Sequence, residues 1–203
     1  MLAAVFAAVL AAGCNASGQS APTASPTIQD APSATPSEQT AHPVSQAQIV
    51  SNLPTDFPIV PYVTNGVLPN GTSTLSALLA QGKPVILNFW AGNCPPCRAE
   101  MPGLQKMYDQ LNSQVVLLGV DVGPFFGLGT HDQAKQLLQQ LNITYPTGDT
   151  SDTSIVPKFK VAGLPSTYFL RPNGTVMKSW TGLIGESDAV RLAQNLISSS
   201  ASG

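Results

Sequence analysis

The chain is poor in charge, in histidine and in cysteine. Nine Lys and Arg against eleven Asp and Glu make only 10 % of its 203 residues, for a formal net charge of −2. Such a balance gives no electrostatic grip on nucleic acid or on anionic lipid headgroups, so no nucleic-acid partner is expected. Three cysteines and two histidines also argue against metal. A closed zinc site takes four protein ligands; Cys94 and Cys97 supply two, Cys14 lies at the far N-terminal end, and His42 and His131 are isolated. No metal and no cofactor is expected. The apolar run at the N-terminus, MLAAVFAAVLAAG, falls short of the roughly 20 residues that a membrane-spanning helix needs. No tandem repeat is visible.

What that run does have is the look of the hydrophobic part of a secretory signal over residues 1–13. Leu10-Ala11-Ala12-Gly13-Cys14 resembles the lipobox of bacterial lipoproteins, which implies lipidation of Cys14 and a membrane anchor; Ala11 stands where leucine is commoner. An ordinary cleaved signal followed by an incidental cysteine is the other reading. Residues 14–56 then read as a tether. To about Gln48 they are Ala, Pro, Ser, Thr and Gln with hardly a large apolar side chain, a composition that cannot offset its conformational entropy and is expected to stay disordered. A flexible coil of roughly 35 residues has an end-to-end distance of about 30–35 Å. His42 within it is expected to be solvated.

Folded structure is expected over 57–203. PVILNFWA (Pro84 to Ala91) and QVVLLGVDV (Gln114 to Val122) read as buried strands. From Cys94 onward Met101, Leu104, Met107, Tyr108 and Leu111 repeat at helical spacing, with Pro102 removing one ladder bond. His131 to Leu141 reads as a second amphipathic helix. STYFL and TVMKSW flank an Asn173-Gly174 turn and read as a hairpin. Ser187 to Ile197 closes the chain as a helix, with Asp188 placed to favour its N-terminus. Strand, helix and strand at these lengths imply parallel pairing through a crossover.

The order β-α-β-α-β-β-α, with Cys94-Pro95-Pro96-Cys97 between the first strand and first helix, is the thioredoxin pattern. The fold class expected is a thioredoxin-like α/β fold, a central mixed sheet flanked by helices. NFWAGNCPPCRAEMP resembles the active-site segment of the TlpA/ResA-like family of membrane-tethered, extracytoplasmic thioredoxin-fold proteins. VAGLPSTYFLRPNG (Val161 to Gly174) is similar to that family's second signature. The resemblance covers about Leu75 to Ile197. Asn93 departs from the tryptophan common before the first cysteine, and GPFFGLGTHDQ (Gly123 to Gln133) looks like an insertion.

Competing chemistries fit less well. A copper chaperone of related fold wants Cys-x-x-x-Cys and a placed histidine. A peroxidase wants a lone cysteine activated by threonine and arginine. A purely structural disulfide closing so short a loop constrains the unfolded chain little. Redox exchange is left. A cysteine at a helix N-terminus has its thiolate favoured, so Cys94 is expected to attack and Cys97 to resolve. The resemblance implies that Pro165 is a cis-proline beside Cys94 and, with Leu164 and Trp90, part of the client-binding surface. It also implies that Glu100, three residues after Cys97, serves activity; if partly buried it suits a proton acceptor. Asn88 stands where cytosolic thioredoxins have a buried aspartate and cannot titrate. Arg98 and Lys158 are expected at the surface. The resemblance further implies reduction of disulfide-containing client proteins, among them apocytochrome c, with electrons from a membrane thiol carrier. A monomer is expected. A disulfide-forming oxidant or isomerase, and a peptide-binding chaperone module, are the alternatives.

Overall fold

A computed structural model describes residues 45–201. The signal-type segment, Cys14, His42 and most of the expected tether lie outside the described residues. In chain order the elements are α1 (Gln46–Asn52), β1 (Pro58–Val63), β2 (Ser73–Thr74), α2 (Leu75–Leu79), β3 (Val85–Trp90), α3 (Pro95–Leu111) and β4 (Val116–Asp121). They continue with α4 (Gly123–Phe126), α5 (His131–Gln140), β5 (Thr147–Asp149), α6 (Ile155–Lys158), β6 (Ser166–Leu170), β7 (Val176–Thr181) and α7 (Glu186–Ala201).

The strands form one mixed sheet in the order β2-β1-β5-β4-β3-β6-β7. Its centre is parallel: β3 pairs with β4, and β4 with β5. β6 runs antiparallel to β3 and returns through the expected hairpin to β7. Gly174, at φ 86°, takes the left-handed position of that turn, and its N–H donates to the Arg171 carbonyl at 2.9 Å. All six residues of β3 and all six of β4 are buried, because helices cover both faces of the sheet. Ile86, Trp90 and Leu117 pack with α3, α5 and α7 on one face. Val85, Leu87, Phe89, Leu118 and Val120 pack with α1, α2 and α6 on the other. The expected apolar stripe of α3 is the buried one, Met101, Leu104, Met107, Tyr108 and Leu111, and the helix runs on through Pro102.

The ordered chain begins before the expected boundary at Phe57. Ser45 and Gln48 form a reciprocal capping box that starts α1. Ile49 and Leu53, four residues apart, bury 99 % and 93 % of their surface (1 % and 7 % exposed). Asn52 Nδ2 donates to the Asn173 carbonyl at 2.8 Å, fastening α1 to the β6–β7 turn. Residues 45–56 are therefore part of the folded domain. Two apolar side chains at helical spacing, seated on a preformed core, offset the entropy that their polar neighbours alone cannot.

Candidate active site

β3 ends at Trp90, and Cys94 is the N-cap of α3. The chain turns between them because Cys94 N–H donates to the Ala91 carbonyl at 3.3 Å. Cys94 and Cys97 are joined as a disulfide. Pro95 and Pro96 occupy the first two helical positions, where a missing N–H costs the helix nothing. The first amide free to face Cys94 is that of Cys97, which donates to Cys94 Sγ at 3.3 Å. Cys94 is 3 % exposed and Cys97 0 %.

The Leu164–Pro165 peptide bond is cis. Its place follows from register: Ser166 pairs with Phe89, so Pro165 stands beside the end of β3, at the edge from which the cysteine turn departs. Leu164 is half-buried and touches both core layers, whereas Pro165 is buried and its carbonyl accepts from Gly182 N–H at 2.8 Å. Trp90 does not join Leu164 on an accessible rim. It is 0 % exposed, inside the α3-side core with Cys94 and Cys97. The physical reason is that helices cover both faces of β3; strand parity puts Trp90 on the α3 face with Ile86 and Asn88, and that face is enclosed.

Glu100 lies on the buried face of α3, 2 % exposed. Its Oε1 accepts from Asn88 Nδ2 at 2.8 Å and its Oε2 from Ile184 N–H at 2.9 Å. Burial pushes its carboxyl up to about 7, against the lowering pull of the Ile184 and Asn88 hydrogen bonds. Asn88, fully buried, also donates from Nδ2 to Thr167 Oγ1 at 3.0 Å. Asn88 thus orients the carboxylate, a role not assigned to it from the sequence. Ile184 and Thr167 were invisible there: a backbone amide has no residue signature, and a strand threonine reads as ordinary β propensity.

The Gly123 to Gln133 segment wraps beside the cysteines. Asn93 N–H donates to the Leu128 carbonyl at 2.9 Å, and Asn93 Nδ2 to Gln133 Oε1 at 3.2 Å. Asp121, buried at the end of β4, accepts from Gly123 N–H and from Tyr62 Oη, at 2.9 and 3.1 Å, and lies 3.0 Å from His131 Nδ1. Burial raises the Asp121 carboxyl, opposed by those same bonds. Among the described residues no group of three His, Cys, Asp or Glu side chains is placed to hold a metal ion. Arg98 and Lys158 are exposed as expected, and Arg98 Nη1 donates to Gln140, leaving the disulfide without an adjacent cation from that side chain.

A mixed sheet carrying Cys-x-x-Cys at the start of the helix after its central strand, with a cis-proline at the neighbouring strand, defines a thioredoxin-like protein with a redox-active disulfide. The chain belongs to the AhpC/TSA family, whose family model matches residues 61–179. Among curated proteins it is similar to the thiol-disulfide oxidoreductase ResA of Oceanobacillus iheyensis, 33 % identical over 104 residues, 51 % of this chain and 52 % of the relative. ResA of Bacillus subtilis is 32 % identical over 108 residues, covering 53 % and 58 %. The match thus spans little more than half the length of these relatives. In fold it resembles StoA from Bacillus subtilis, with TM-score 0.56, 20 % identity and coverage of 70 % and 97 %. It also resembles the exposed lipoprotein thioredoxin Etrx1 of Streptococcus pneumoniae, with TM-score 0.55, 19 % identity and coverage of 70 % and 99 %.

Proposed function

We propose that the protein is a thiol–disulfide oxidoreductase that works outside the cytoplasm and delivers electrons to disulfides of client proteins. The observation that carries this reading is the cap of α3, where a buried cysteine pair meets one free backbone amide, from Cys97, and two prolines. In the reduced protein the Cys94 thiolate attacks a client disulfide, forming a Cys94–client disulfide and releasing one client thiolate. Cys97, its proton passed to Glu100, then attacks Cys94 Sγ. The Cys94–Cys97 disulfide forms, the second client thiolate leaves, and both client sulfurs take up protons. Two electrons have moved from the cysteine pair to the client.

The direction rests on the prolines. Pro95 and Pro96 bring no N–H and no charge to Cys94, so its thiolate is less stabilised than in strongly oxidising members of the fold. A less stabilised thiolate gives up electrons more readily. Named relatives called thiol-disulfide oxidoreductases support the reaction class. Apocytochrome c is a fitting client and a membrane thiol carrier a fitting donor. A working place outside the cytoplasm accords with the signal-type N-terminus and with Etrx1, itself an exposed lipoprotein. Anchoring would run through lipid on Cys14; among the described residues no helix is long and apolar enough to cross a membrane.

Trapping in cells tests the reaction. Cys97→Ser should accumulate mixed disulfides through Cys94, and mass spectrometry of the captured chains identifies the clients; Cys94→Ser should capture few. Equal capture by both variants, or preferential alkylation of Cys97 at neutral pH, contradicts the assignment of roles.

A further inference from the structure

A row of side chains crosses the sheet beneath α3. Register places Thr147 of β5 opposite Gly119 of β4, Gly119 opposite Asn88 of β3, and Asn88 opposite Thr167 of β6. Gly119 breaks the row, and three other side chains converge over it. A Cβ built there would stand 2.9 Å from Thr147 Cγ2, 3.0 Å from Trp90 Nε1 and 3.2 Å from Tyr145 Cε2. Among the described residues, the buried side-chain polar atoms without a hydrogen-bond partner are Asn88 Oδ1, Trp90 Nε1, Tyr145 Oη and Thr147 Oγ1. Trp90 Nε1 borders Gly119 directly, Thr147 and Tyr145 reach it with carbon atoms, and Asn88 is its neighbour across the sheet, so the four residues adjoin one position. Their chemistry is complementary: Asn88 Oδ1 accepts, Trp90 Nε1 donates, and the two hydroxyls do either.

Buried polar atoms left unpaired are costly, and native proteins pair them with protein or with ordered water. A buried water needs two to four polar partners. Glu100 adjoins the same group through Asn88, and its negative charge adds to burial in holding the Tyr145 hydroxyl protonated. A protonated Tyr145 keeps a donor available next to the carboxylate.

We propose that Asn88, Trp90, Tyr145 and Thr147 form a buried water-binding site, and that Tyr145 acts through this water as a positioning residue that favours the ionised form of Glu100. The inference rests on Glu100 as the proton acceptor of the proposed reaction. Asn88 holds the carboxylate directly, and the water extends the donor set with the Tyr145 and Thr147 hydroxyls. Other ionisable groups near Glu100 are accounted for. Cys97, on the same helix, is locked in the disulfide. Glu186 of α7 is exposed and paired with Lys106 at 3.0 Å. Asp121, on the same sheet face, is turned to Tyr62 and His131.

Carboxyl-carbon NMR of the full chain in its disulfide form tests this without any turnover. Removing the Tyr145 or Thr147 hydroxyl should raise the pH at which Glu100 ionises, because the carboxylate loses donors and its surroundings lose water. Tyr145→Phe and Thr147→Val should each lower the Glu100 ionisation constant at least threefold from the wild-type value. Tyr108→Phe, a neighbouring aromatic outside the site, should leave it unchanged. Water–protein cross-relaxation at Trp90 Nε1–H should be present in the wild type and lost in Tyr145→Phe. Glu100 titrating identically in wild type and Tyr145→Phe, or no water contact at Trp90, overturns the proposal. The reading of Glu100 as proton acceptor fails separately, if Glu100→Gln exchanges disulfides at the wild-type rate while the Glu100 titration still responds to Tyr145.

Discussion

At the residue scale, the proposed chemistry rests on three side chains at the start of α3. Cys97 and Glu100 stand three apart on α3, and Cys94 caps it. Burial holds the Glu100 carboxyl at about 7, above its ordinary 4.5. The folded protein therefore holds that proton more tightly than the unfolded chain does. The stability this confers is full below about pH 4.5 and is lost as the pH rises through about 7, by on the order of 3 kcal/mol. Urea unfolding across that window should show a falling midpoint in the wild type and a smaller fall in Glu100→Gln. In exchange kinetics, the rate of model disulfide reduction should rise through about pH 7 as Glu100 becomes able to accept a proton, and Glu100→Gln should be slower with that inflection gone. Identical rates from pH 5 to 9 would make Glu100 structural. The cysteine pair at the start of α3 and the place of Glu100 on the helix face of Cys97 were legible from motif and helical spacing. Trp90 lay within the stretch read as a buried strand, but the face its ring takes was not legible. Every residue of β3 is buried, so no alternation of polar and apolar side chains marks which face is which, nor which points away from solvent.

At the element scale, sequence patterning sufficed for the fully buried central strands, the hairpin and the long helices. β3, β4, α3, α5, the β6–β7 hairpin and α7 stand where apolar spacing placed them. Most missed elements are short; β1 is as long as β3 and β4 but only partly buried and holds two prolines. β5 is only Thr147–Asp149, and its identity comes from pairing with β1 and β4 rather than from its own side chains. Gly148 within it admits the Val60 carbonyl, against which a Cβ would collide. α1 was read as tether because its composition continues that of the preceding chain, and only Ile49 and Leu53 mark the change. Those two side chains define a test of the boundary. Ile49→Ala should destabilise the domain by about 2–5 kcal/mol, as for other buried large-to-small changes, measured by urea unfolding of a chain beginning at Ser45. A change below about 0.5 kcal/mol, the range of surface substitutions, would detach α1 from the core. The Gly123 to Gln133 segment, read from the sequence as an insertion, is hydrogen-bonded to Asn93, the residue next to Cys94.

At the scale of the whole molecule, a signal-type N-terminus and a Pro- and Ser-rich stretch precede the redox domain in the chain. Attachment through Cys14 predicts that cells fed a labelled fatty acid incorporate it into the wild-type chain, and that Cys14→Ala is unlabelled and leaves the membrane fraction. Label on the Cys14→Ala chain would contradict the anchor. The central claim is the direction of electron flow, and it rests on a helix start with two prolines and one amide near Cys94. Equilibrating the domain beginning at Ser45 against graded thiol–disulfide buffers, and reading the Cys94–Cys97 state by alkylation, measures it directly. The expected potential lies nearer the roughly −270 mV of thioredoxin than the roughly −120 mV of a strong periplasmic oxidant. A value above about −180 mV, the range of the isomerases, would contradict it and mark the protein as one that makes or rearranges disulfides.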